Sequence, residues 1–87
     1  MIKVWGQLWK NGKMIASDTC SSSKPDMADA LLECLEHFGR SFDMETPMWH
    51  SLHSKQLGGF QKAVFTQDDY IDRISFDRFE MVLLERD

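Results

Sequence analysis

Apolar and polar positions follow two different periods along this chain, and the change between them marks its architecture. From Ile2 to Cys20 the period is two, interrupted by Asn11-Gly12. That dipeptide suits a type I′ turn, whose two central residues need positive φ, so the segment reads as a β-hairpin. A two-residue loop sets Lys10 opposite Lys13, Trp9 opposite Met14 and Leu8 opposite Ile15. Side chains alternate along a strand. One face then carries Ile2, Val4, Leu8 and Ile15, and the other Trp5, Trp9, Met14, Ala16 and Cys20. Both faces of the hairpin are apolar.

After the polar connection Ser21-Ser22-Ser23-Lys24 the period becomes helical. Met27, Leu31, Cys34, Leu35 and Phe38 fall on one stripe, while Asp26, Asp29, Glu33 and Glu36 lie mostly opposite. Ser23 through Asp26 fits a capping box with Pro25 in the first turn. Gly39 suits the C-terminal end, with Arg40 near the negative pole. Residues 41–53 read as irregular. A short helix through Leu57, Phe60 and Val64 fits residues 54–65, against a cost of about 1 kcal/mol for each of Gly58 and Gly59. Residues 66–75 are turn-like and then extended. Phe79 to Leu84 forms a strand with apolar residues at both parities, which places it inside the sheet beside the first strand. The expected fold is a single α+β domain over residues 1–87. A small antiparallel sheet, strand order 2-1-3, carries one main amphipathic helix on one face.

The C-terminal third, Phe65 to Asp72 followed by Ile74, Phe76-Asp77 and Glu80, resembles a family of short uncharacterised bacterial proteins with an FTQDxFI…FDxxEI-like pattern. Val4, Gly6, Leu8, Trp9 and Lys10 resemble the opening strand of the same family. Arg73, Arg78 and Gly58-Gly59 depart from the pattern, and the end of this chain is less acidic. The resemblance implies membership only, since no activity is assigned to the family.

Composition narrows the classes further. A net charge of −4 argues against direct binding to nucleic acid, which needs a basic stripe. The longest uninterrupted apolar run, Met81 to Leu84, is too short to span a membrane. The start lacks a secretory apolar run, so the protein is expected in the cytoplasm with Cys20 and Cys34 as reduced thiols.

Candidate chemistry is sparse. His50 and His53 share a spacing that suits a metal, with Asp43 or Glu45 completing a set. Asp68, Asp69 and Asp72 form a carboxylate group without the alternating spacing or glycine of a calcium loop. Cys34 sits on the apolar stripe and reads as a core residue, with His37 toward the opposite edge of the helix. No catalytic, cofactor or metal residue is therefore assigned. Trp5, Trp9 and Met14 remain, either covered by residues 57–65 as a second small core or open as a partner surface. The expected role is a non-enzymatic interaction module, self-associating as a homodimer or binding another protein. One alternative is a small metal-dependent enzyme using His50, His53 and the Asp68, Asp69, Asp72 group. Another is an acidic mimic of nucleic acid.

Leu31 and Leu35 sit mid-stripe, so truncating either to Ala is expected to cost about 2–5 kcal/mol. Chemical denaturation measures it, and losses below about 1 kcal/mol at both sites would place the core on another face of the helix.

Overall fold

The structure, a computed structural model, describes residues 1–86. Strands β1 (Ile2–Lys10) and β2 (Lys13–Ser22) form the hairpin, followed by helix α1 (Met27–Ser41) and helix α2 (Ser51–Phe60). Strand β3 (Lys62–Phe65), a 3₁₀ turn (Gln67–Asp69) and strand β4 (Arg78–Arg86) follow. The four strands form one antiparallel sheet in the order β2-β1-β4-β3. The expected α+β class is borne out, and β4 pairs with β1 as the sequence suggested. The addition is β3 on the outer side of β4.

Local chemistry sets the boundaries. Asn11 and Gly12 take φ of 54° and 76°, as the tight turn requires. Asp26, not Ser23, caps α1: its carboxylate accepts from the Ala28 amide at 3.3 Å. Gly39 does not end the helix, which runs on to Ser41. Gly39 is needed for space, since a Cβ there would lie 2.9 Å from Thr46 Oγ1. The second helix starts earlier than the sequence suggested and stops before Val64, with Gln61 in the left-handed conformation.

The hairpin departs from simple counting. The register slips between Leu8 and Trp9, so Trp9 still faces Met14 but Leu8 faces Ala16. This bulge absorbs one residue, Ile15, which is 53 % exposed. Every later position of β2 changes side, so Ala16 and Cys20 pack on the core rather than beside the tryptophans.

Both helices pack on the same face of the sheet. Its core-facing residues are Ile2, Val4 and Leu8 of β1, Phe79, Met81 and Leu83 of β4, and Ala63 and Phe65 of β3. The α1 stripe closes over them with Leu31, Cys34, Leu35 and Phe38 buried. Leu57 of α2 joins the same core, while Phe60 points out, 81 % exposed. Residues 57–65 therefore do not fold over Trp5 and Trp9, and the second small core does not exist. Edge strand β2 is tied to α1 by Asp18, whose carboxylate meets His37 at 2.9 Å and Ser41 Oγ at 2.8 Å. Those two bonds, His37 first, hold the Asp18 carboxyl below the ordinary range.

Phe38 packs directly against the backbone of Gly6. A Cβ on Gly6 would lie 2.7 Å from the Phe38 ring, and Phe38 is itself held in a three-ring cluster with Phe42 and Phe79. Gly6→Ala is expected to destabilise the fold by about 1–3 kcal/mol. Adding Phe38→Leu should recover part of that loss, a coupling read from a double-mutant cycle in urea. Purely additive costs would show that the ring and the glycine do not constrain one another.

Candidate interaction surface

With the helices on one side, no helix among the described residues covers the opposite side of the sheet. Pairing lays out its residues in rows. Trp9 stands between Met14 and Arg78, Gln7 between Ser17 and Glu80, and Trp5 between Thr19 and Val82. Val64 and Lys62 extend the rows on β3, and Lys3 beside Glu85 closes the far end. Trp5, Trp9, Val64 and Val82 are half-buried by their neighbours, and Met14 is 39 % exposed.

The centre of this surface is polar but internally satisfied. Glu80 is buried and meets Lys62 Nζ at 3.1 Å on one oxygen and Arg78 Nε on the other. The Arg78 guanidinium also lies 4.6 Å over the Trp9 ring, a cation–π contact. The Trp9 indole N–H donates to Gln7 Oε1 at 2.9 Å, and Gln7 is buried as well. Burial alone would push the Glu80 carboxyl up. The hydrogen bonds and charges of Arg78 and Lys62 outweigh it and hold the group below the ordinary range. Among the described residues no buried side-chain nitrogen or oxygen lacks a partner.

The sequence-predicted partner residues Trp5, Trp9 and Met14 thus lie on one open face. Gln7, Arg78 and Glu80 belong there too and were not expected. Their signal was the alternation itself: Lys3-Trp5-Gln7-Trp9 and Arg78-Glu80-Val82 each share a parity.

The histidine group has another function in the fold. His50, His53 and Asp69 come together, with His53 Nε2 3.2 Å and His50 Nε2 3.5 Å from the Asp69 carboxylate. His53 is buried, stacked on Phe65 at 4.1 Å between ring centroids. Its Nδ1 accepts from the His50 amide at 2.9 Å, so Nε2 carries the proton and donates to Asp69. Both ring nitrogens of His53 are then committed, and this histidine has no lone pair free for a metal. Asp69 also accepts from the Thr66 amide at 2.9 Å, which pins the turn after β3 to the start of α2. Asp68 and Asp72 do not join this group. Glu45 instead holds the Ile71 and Asp72 amides at 3.0 Å each, and Asp43 takes a φ of 50° just beyond α1. Among the described residues no group of three or more His, Cys, Asp or Glu is placed to hold a metal ion.

A groove of about 590 Å³ opens between the two helices, lined chiefly by Met27, Leu31, Leu35, Trp49, Leu57 and Leu83. Gly58 borders it, with nothing within 4 Å of where its Cβ would stand. Among the described residues no helix is long and apolar enough to cross a membrane. No family model, curated protein or solved structure matches the chain.

Because the folded-state pKa of Glu80 is depressed, its ionised form stabilises the fold fully above the ordinary carboxylate range. That contribution is lost as pH falls through the lower folded value. Glu80→Gln should therefore lose stability at neutral pH and show a shallower decline below about pH 4.3 than the parent. Urea midpoints across the acid range test this, and parallel curves would mean that Glu80 does not titrate as part of the surface.

Proposed function

We propose that this protein is a non-enzymatic interaction module that docks a protein partner on the open face of its sheet. Trp5, Trp9 and Met14 form the contact, and a second copy of the chain is the first partner. The observation that carries this is the placement of both helices on one face, which leaves two tryptophans of the central strand β1 on the other. A face of this kind has apolar area to bury, and tryptophan is enriched among residues that dominate interfaces.

The polar centre supports the same reading. Desolvating a charge costs several kcal/mol unless it is already paired. Glu80 is already paired with Arg78 and Lys62, and Gln7 with Trp9, so a partner can cover the face without orphaning them. Charge favours self-pairing: the face carries cations (Lys3, Lys62, Arg78) and anions (Glu80, Glu85) together. Such a mixture suits a twofold contact, in which each patch meets its own copy. A nucleic-acid site would need one sign. The resemblance of the two ends of the chain to short bacterial proteins without an assigned activity supplies no rival chemistry. A cytoplasmic location accords with this role.

The double replacement Trp5→Glu and Trp9→Glu should convert a dimer into a folded monomer. Light scattering gives the mass, and circular dichroism confirms the fold. A wild type that stays monomeric at high concentration removes the homodimer. A double mutant that unfolds assigns both tryptophans to the stability of the domain itself and removes the partner surface.

A further inference from the structure

The bulge at Ile15 has a chemical result on the helix side of the sheet. It turns Cys20 inward, opposite Val4, where it packs on the cluster that contains Cys34. Contacts on either side fix how β2 lies along α1. Asp18 meets His37 and Ser41 at 2.9 and 2.8 Å, and Lys24 meets Glu33 at 3.7 Å. The strand therefore runs antiparallel to the helix, with Cys20 level with the turn that presents Cys34. These are the only two cysteines in the chain, and both are free thiols. Their exposure is unequal: Cys34 is fully buried, whereas Cys20 is half-buried and its thiol lies 3.8 Å from the Ser21 carbonyl oxygen.

We infer that Cys20 and Cys34 are an oxidisable pair, which a hydroperoxide converts into an intramolecular disulfide joining β2 to α1. The asymmetry sets the order of events. Burial, then the neighbouring Cys20 thiol, pushes the Cys34 thiol far up, so Cys34 does not start the reaction. The Cys20 sulfur attacks the peroxide, forming an S–O bond as the O–O bond breaks. The leaving oxygen takes up the thiol proton, giving water or an alcohol. Cys20 is then a sulfenic acid, oxidised by two electrons, and the peroxide is reduced. The Cys34 sulfur attacks the Cys20 sulfur, forming the S–S bond and breaking S–O. The departing hydroxide takes the Cys34 proton and leaves as water. The product closes a loop between residues 20 and 34 and fastens the edge strand to the main helix.

The experiment treats the reduced, folded protein with hydrogen peroxide, quenches it, and maps the peptides without reductant. The expected product has lost two hydrogens, leaves neither cysteine open to alkylation, and stays one chain. Dithiothreitol should restore it. The oxidised form should melt higher by on the order of 10 °C, since a cross-link of this loop length restricts the unfolded chain. Cys20→Ala should resist oxidation at Cys34. Cys34→Ala should stop at a Cys20 sulfenic acid that dimedone traps. The wild-type peptide map stands alone if that variant does not fold. Oxygen retained on Cys20 with Cys34 still free, disulfides between chains, or an unchanged mass would each overturn the inference.

Discussion

The structure depends on one close contact, the Phe38 ring lying against the backbone of β1 at Gly6. A helix can approach a sheet this closely only where a strand residue lacks a side chain. The contact seats α1 over β1 and brings Phe38 onto Phe79. Phe79 in turn stacks on Phe65, and Phe65 on His53 of α2. A continuous line of rings therefore runs from one helix to the other across the inner face. Because both helices are drawn to that side, the residues of opposite parity on β1 are left without cover. The open surface follows directly from the packing of the core.

Much of the fold was legible in the sequence because its signals were local. Asn11-Gly12 announced the hairpin, and the spacing from Met27 to Phe38 announced the helix and its buried stripe. Two features were not legible. The bulge at Ile15 changes register without any glycine or proline to mark it, and it moved Ala16 and Cys20 to the face opposite the one expected. Strand β3 is only four residues long and follows a helix containing two glycines, so its own pattern was too short to separate from a helical one. Pairing with β4 decides it, and pairing is a tertiary fact.

For the surface, sequence alternation grouped Trp5 with Trp9, and the turn placed Met14 beside them. Polar partners were harder to see. In the sequence Glu80 stood out only as part of the C-terminal resemblance, yet it is buried between Arg78 and Lys62, a residue eighteen positions away. The histidines illustrate the converse. Their spacing suggested a ligand set, and the fold does gather His50, His53 and Asp69. It spends the ring nitrogens of His53 on the helix start and on the turn after β3. A cluster recognised by residue type alone cannot distinguish these uses; the direction of each hydrogen bond can.

Strand β2 is also an edge, ten residues long, with a row of backbone groups that another strand could meet. Two of its features oppose uncontrolled extension of the sheet. The bulge kinks the edge near its start, and Asp18 directs a charge toward the helix side, where His37 and Ser41 hold it. An incoming strand would meet a bent template and a carboxylate already engaged. An inward-turned charge is one of the devices that blunt a sheet edge, so Asp18 bears on the limits of the sheet as well as on its tie to α1.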